Sequence, residues 1–129
     1  MRLLLDTHAL LWWLTGDQRM PGAVSSAIKD ASNEVLVSAA SAWEITTKYR
    51  IGKLPTATRL VSDFDAVLRS EGFEGLPITI AHAQRGGLLP GPHKDPFDRM
   101  LVAQAQAESL ALVSNEDVFD QYEVVRLWG

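Results

Sequence analysis

Five acidic residues fall where a sheet protein could use them for chemistry: Asp6, Glu44, Asp98, Glu116 and Asp117. Asp6 closes the apolar run "LLL", and a second apolar stretch, "ALLWWL", resumes at Ala9. Glu44 lies in the helical pattern that follows "EVLVS", Asp98 at the start of "PFDRMLVAQ", and Glu116 and Asp117 directly after "LALVS". Carboxylates that converge on one pocket repel each other unless a cation sits among them. The chain has no cysteine, so with carboxylates as donors the natural guest is a hard cation, Mg²⁺ or Mn²⁺. Two such ions roughly 3.5–4 Å apart can activate water and stabilise the leaving oxygen of a phosphodiester.

Each acid also has a local explanation. Asp6 is placed to cap the helix after it. Ser41-Ala42-Trp43-Glu44 matches a capping box, with Glu44 reaching back to the Ser41 amide. Asp95-Pro96-Phe97-Asp98 supplies a cap, a proline and a first-turn acid, and Asn115 would cap a helix beginning at Glu116. No single acid defines a site; the set does, provided the fold gathers it.

Short β-type runs alternate with longer helical patterns, which predicts an α/β fold with a mainly parallel sheet. Strands are expected at Arg2 to Leu5, Glu34 to Ser38, Leu76 to Ile78, "LALVS" and "VVRLW". Helices are expected at Thr7 to Thr15, Pro21 to Ala31, Ser41 to Gly52, Thr58 to Ser70, Thr79 to Arg85 and "PFDRMLVAQAQAES". In an open parallel sheet, ligands bind outside the carboxyl ends of the strands. Asp6, Glu44 and Glu116–Asp117 follow strands at that edge, whereas Asp98 needs the fold to bring it there.

The 129 residues correspond to one domain with one core. Apolar residues make up 47% and charged residues 22%, which excludes a disordered chain. A net charge of -4 argues against a surface that clings everywhere to nucleic acid, but leaves room for a local basic patch. Without cysteine there is no disulfide, thiolate zinc site or thiol nucleophile, and His8, His82 and His93 are too scattered for zinc. Asp6 and His8 interrupt the apolar start before a signal-peptide core could form, and no run approaches the ~18 apolar residues of a membrane span. A soluble cytoplasmic domain is expected.

The segments "LLLDTHALLWW", "VSAASAWEITTKYRIGKL" and "HKDPFDRMLVAQAQAESLALVSNED" resemble the PIN-domain ribonucleases, in particular the VapC toxins of bacterial toxin–antitoxin pairs. The resemblance runs from Arg2 to Trp128. It implies a PIN-like α/β/α sandwich forming a single nuclease domain over residues 1–129, and Mg²⁺- or Mn²⁺-dependent hydrolysis of RNA. It matches Asp6, Glu44 and Asp98 to the family's three main acids. Glu116 stands where the fourth is usually Asp, so Asp117 is the alternative. A cognate antitoxin on a separate chain and a homodimer are implied as partners.

Four residues are candidates for RNA contact, each with a structural alternative. Thr7 either bonds a ligand water or caps its helix. Arg99 contacts phosphate or pairs with a neighbouring acid. Lys48, grouped with Arg50 and Lys53, guides RNA or forms a solvated face. Lys94, beside His93, borders the substrate groove. Trp12 and Trp13 read as core and interface, with more apolar surface than one short helix needs.

Two other functions compete. A phosphotransfer enzyme would use Asp6 as nucleophile, but enzymes of the haloacid-dehalogenase type need a second Asp two residues on, where His8 stands. A non-catalytic module would use the acids only as caps.

Overall fold

Alternate residues of the central strand point to opposite faces, and in "RLLL" every one after Arg2 is leucine. Such a strand can be buried on both sides only in a sheet covered by helices on both faces. The computed structural model, which describes residues Met1–Gly129, has this form. Strands β1 (Arg2–Leu5), β2 (Glu34–Ser38), β3 (Glu74–Leu76), β4 (Ala111–Val113) and β5 (Arg126–Leu127) are all parallel, in the order β3-β2-β1-β4-β5. β1 pairs Leu5 with Val37 on one side and with Val113 on the other.

Seven helices connect and cover the strands: α1 (Thr7–Thr15), α2 (Gly22–Lys29), α3 (Ala39–Arg50), α4 (Thr58–Ser62), α5 (Phe64–Glu71), α6 (Ile80–Leu88) and α7 (Pro96–Glu108). Leu3, Leu5, Val35, Val37 and Val113 pack with Leu10 of α1, Val24 of α2, Ile45 of α3 and Val67 of α5. Leu4, Leu36 and Leu112 pack on the other face with Leu101 and Val102 of α7 and with Phe119. The result is an α/β/α sandwich with two apolar layers. No helix is long and apolar enough to cross a membrane.

β1 and α1 form over the expected residues, and Gly16, in the left-handed region at φ 65, ends α1. Several boundaries differ. α3 begins at Ala39, because the Ser38 hydroxyl accepts from the Ala40 amide at 2.9 Å. The expected Ser41–Glu44 capping box therefore does not form; Ser41 lies inside the helix and Glu44 a turn further on. α2 begins at Gly22 with Pro21 as its cap residue, and ends at Lys29 rather than Ala31.

The helix expected from Thr58 to Ser70 is broken at Asp63. Its carboxylate accepts the Ala66 amide at 3.0 Å, a bond available to a cap but not to a residue inside a continuous helix. β3 ends at Leu76, one residue before Pro77, which has no amide to give a ladder. Asn115 does not cap a helix either: a 3₁₀ turn runs from Asp117 to Gln121, with Glu116 just before it.

The tryptophans divide their surface between the chain and solvent. Trp13 packs on Phe73 at 6.0 Å between ring centroids and donates to Glu71 Oε1 at 2.8 Å. Trp12 packs with His8 (5.6 Å), Trp128 (5.7 Å) and the Arg19 guanidinium (4.8 Å). Both are half-buried, and Trp12 keeps part of its surface in a groove between α1 and α4. The exposed apolar side chains are elsewhere, among them Trp43 (65%), Ile80 (88%) and Leu88 (76%).

One buried polar network ties the two sides of the site together. Gln104 of α7, fully buried, accepts from the Ser38 hydroxyl at the end of β2 at 2.5 Å. Its amide nitrogen donates to the Pro77 carbonyl at 3.2 Å and meets His82 Nδ1 at 3.3 Å. Gln104→Leu keeps the volume but strands these groups. The expected loss is about 1–3 kcal/mol of stability, measured by urea unfolding; a loss near zero would mean that the network carries no stability.

Candidate active site

The strand order reverses between β1 and β4, since the chain moves from β1 outward to β2 and β3 and then crosses to β4 and β5. A crevice opens at such a switch point, outside the carboxyl ends of the two strands. Asp6 stands at one lip. Its backbone amide continues the ladder to the Val113 carbonyl at 3.0 Å, and its Oδ1 accepts from the Ala9 amide at 2.8 Å. Capping and site geometry coexist in this residue: the cap is what aims the carboxylate.

The opposite lip is built by Ser114 and Glu116. Ser114, fully buried, accepts the Glu116 amide at 3.0 Å, and its hydroxyl lies near enough to Asp6 to favour the ionised carboxylate. Sequence reasoning assigned Ser114 no role; its signal was a hydroxyl closing an apolar strand just ahead of an acid. Asp98 reaches the same edge because α7 runs back against the strands before entering β4. The Asp95 carboxylate caps α7 through the Phe97 and Asp98 amides at 2.9 and 3.1 Å, leaving the Asp98 side chain free to turn inward.

The charges of these residues act on one another. Burial pushes the Asp6 carboxyl up to about 6, and the Glu116 charge adds to the rise; hydrogen bonds from Ser114 and Ala9, and the nearby His8, oppose it. Burial likewise pushes Asp98 up to about 6, with Asp95 and Glu116 adding and the hydrogen bond to His93 opposing. Glu116 is thus the shared neighbour of both aspartates. Asp117 is not: it is exposed, and its charge acts on Arg126 instead.

Glu44 is buried, at 6% exposure, but engaged differently. The Thr7 hydroxyl donates to its Oε1 at 2.6 Å and Lys48 Nζ to its Oε2 at 2.6 Å. Lys48 is therefore an ion-pair partner within α3, neither a solvated face nor a free cation. Thr7, buried beside Ser41 Oγ at 3.1 Å, is turned inward too. Arg99 is committed to the loop before α7, donating to the carbonyls of Leu89, Gly91 and His93. Thr7, Lys48 and Arg99 are thus engaged by partners within the chain. Lys94 is exposed in the loop that carries His93, whose Nε2 lies 2.8 Å from Asp98 Oδ2. His8, at the other side, has its Nδ1 4.0 Å from Glu116 Oε1.

As the side chains stand, no three acids or histidines close on one point tightly enough to clasp an ion. The donor set nevertheless suits one: Asp6, Asp98 and Glu116 are all oxygen donors, two of them raised chiefly by burial and further by the Glu116 charge. That is the electrostatic demand a hard divalent cation answers.

The fold and the pocket define an α/β/α protein with acids gathered at the switch point of a parallel sheet. A family model for the PIN domain matches residues 3–125, and the chain belongs to the PIN-domain family. It is 30% identical to Ribonuclease VapC22 of Mycobacterium tuberculosis over 115 residues, which cover 88% of this chain and 86% of that protein. A stretch of 55 residues is 42% identical to Ribonuclease VapC16 of the same organism, spanning 43% of this chain but only 39% of that relative's length. Among solved structures, VapBC2 from Rickettsia felis bound to a promoter DNA fragment matches with a TM-score of 0.74 at 17% identity, over 100% of both chains.

The raised carboxyls have a consequence for stability. A folded-state value above the ordinary 3.8 means that the fold favours the protonated form, so ionised Asp6 and Asp98 destabilise it. The penalty is full above about pH 6, shrinks as pH falls through that value, and is gone below 3.8. Its size is roughly 3 kcal/mol for each group taken singly, not additive because the two share Glu116. Asp98→Asn, which also removes an anion worth about 0.3–1 kcal/mol at a helix N-terminus, should therefore raise the melting temperature in EDTA. The gain should be full near pH 7.5 and only about half as large near pH 5, and excess Mg²⁺ should stabilise the parent and narrow it. A variant that melts lower than the parent in EDTA at both pH values would refute the repulsion.

Proposed function

We propose that this PIN-domain protein is a metal-dependent endoribonuclease acting as the toxin of a toxin–antitoxin pair. The observation that carries the proposal is that Asp6 and Asp98, at the carboxyl edge of the sheet, are each pushed up to about 6 by burial, with the Glu116 charge adding to both rises. The ribonuclease names of its curated relatives, one of them aligned over most of both chains, support the same reading.

In this mechanism Asp6, Asp98 and Glu116 hold a divalent ion, Mg²⁺ or Mn²⁺. When bound, such an ion supplies Lewis acidity: it makes water a competent nucleophile near neutral pH and stabilises charge growing on phosphate oxygens. The chain's own groups do the rest. The Ala9 amide and the Ser114 hydroxyl hold Asp6 in one orientation, and His93 steadies Asp98. Glu44 fixes Thr7 beneath Asp6. Lys94 is the exposed cation closest in sequence to the pocket's rim and is assigned to the RNA backbone; Arg99 holds the loop on which it sits. No protein nucleophile is required, and Asp6, buried with Oδ1 already bonded, is a poor one.

The antitoxin is proposed to be a separate protein that covers this pocket. Solved relatives of the same fold are themselves VapBC complexes, including those from Rickettsia felis and Salmonella typhimurium. A groove of about 600 Å³ between α1 and α4 starts at His8, beside Glu116, and is walled by Leu11, Trp12, Leu54 and Leu60.

A homodimer is also proposed, resting on the exposed aromatic surface of Trp43, packed edge-on to Phe97 at 5.1 Å.

RNA cleavage by the purified chain should stop in EDTA and return with Mg²⁺ or Mn²⁺. Asp6→Asn, Asp98→Asn and Glu116→Gln should each lose upwards of about 100-fold in rate with native circular dichroism, while Asp117→Asn stays within a few-fold of the parent. Cleavage that survives exhaustive chelation, or full activity in both aspartate variants, would overturn the assignment. Sedimentation velocity at high micromolar concentration should return a dimer that Trp43→Ala weakens. A strictly monomeric parent would rule the dimer out.

A further inference from the structure

The four buried or half-buried acids of the pocket are not equivalent, and the difference is in their partners. The Glu116 charge acts on both Asp6 and Asp98, and no lysine or arginine bonds to any of the three carboxylates. Glu44 is absent from the groups that act on either aspartate. It already has a full-strength cation: Lys48, one helical turn on, with its Nζ 2.6 Å from Oε2 and the side chains 37% and 7% exposed. Its other oxygen takes the Thr7 hydroxyl proton at 2.6 Å. Both carboxylate oxygens are thus bonded, one of them to a charge, in a place with little water. Glu and Lys spaced i, i+4 in this order also face one another naturally on a helix, so the pair is built into α3.

We propose that Lys48 is the resident cation of Glu44, so that the site takes one divalent ion, held by Asp6, Asp98 and Glu116, while Glu44 is a positioning residue and not a ligand. Glu44 acts through Thr7. The threonine is locked by Glu44 Oε1 on one side and lies 3.1 Å from Ser41 Oγ on the other, and it follows Asp6 directly in the chain. Fixing Thr7 fixes the first turn of α1, and with it the Ala9 amide that orients Asp6. The inference rests on the metal-dependent reading above and refines it: the second positive charge that a two-ion site would import is here supplied by a side chain. A buried carboxylate deprived of its partner is strongly unfavourable. Removing Lys48 alone should therefore turn Glu44 into a second cation site, whereas removing the pair together should leave the first site intact.

Titration calorimetry with Mn²⁺, checked by the loss of free-Mn²⁺ signal in electron paramagnetic resonance, reads this without any substrate. The parent should bind one Mn²⁺ per chain. Glu44→Gln/Lys48→Gln, which keeps the net charge and an amide oxygen to accept the Thr7 hydroxyl, should bind one with affinity within about threefold of the parent, while Glu116→Gln loses roughly tenfold or more. Lys48→Gln alone should take up a second Mn²⁺ or bind the first roughly tenfold tighter. Two ions on the parent would overturn the inference whatever the variants do, and would leave the nuclease reading standing. A folded double variant that loses tenfold or more would make Glu44 a ligand and overturn it equally. A parent that binds no Mn²⁺ would overturn both this inference and the metal-dependent reading.

Discussion

Negative charge held out of water beside more negative charge is the condition around which this molecule is organised. Asp6 is 3% exposed and Asp98 is half-buried, and each is pushed to about 6 mainly because the site withholds solvent. A fold tolerates that only where backbone amides and a hydroxyl share the load, and where a cation can enter. The parallel sheet provides both. Its helices begin at the carboxyl edge, so their first amides point into the crevice, and its strand order reverses between β1 and β4, which keeps the crevice open.

The supporting interactions are mostly short and local. Ser38 starts α3, Asp95 starts α7, and Asp6 starts α1; each cap sets the direction of a helix that carries a site residue. Gln104 then joins β2 to α7 across the core, and Arg99 gathers three carbonyls of the loop that presents His93 and Lys94. The same loop is tight at Gly91, whose φ of 104 and closeness to the Tyr122 ring leave no room for a side chain. Two of the charged residues that the sequence offers as contacts for RNA, Lys48 and Arg99, thus have partners within the fold. This is what buried positions do to long polar side chains: a desolvated Arg or Lys must find partners before it can serve a ligand.

The division of labour between Lys48 and a divalent ion follows from the same economy of charge. Lys48 neutralises Glu44 from within its own helix, while the three remaining acids come from three different chain segments with no cation among them. Segments brought together by the fold meet at the switch point, and a cation bound there would join them and would link ion binding to the stability of the whole edge.

What the sequence determined by itself is the alternation of strand and helix and the parallel sheet, because these are written locally; the sandwich came with the family resemblance. β1, α1 and β2 are delimited by apolar runs and caps that act over a few residues, and the motif around Asp98 carries its own cap and proline. The segments quoted for the PIN-domain resemblance led to the family that residues 3–125 match. What only the tertiary structure decided is which acid faces which. That Glu116 and not Asp117 neighbours Asp6 depends on the Ser114 hydroxyl taking the Glu116 amide. That Glu44 is paired with Lys48 and bonded by Thr7 depends on α3 starting at Ser38 and not Ser41, and on α1 lying against it. The packing of the half-buried Trp12 and Trp13 against Trp128 and Phe73 was equally invisible, since those partners lie far along the chain. Caps and periodicity are short-range and survive in one dimension; desolvation and charge coupling are properties of a position in space, and exist only once distant segments have met.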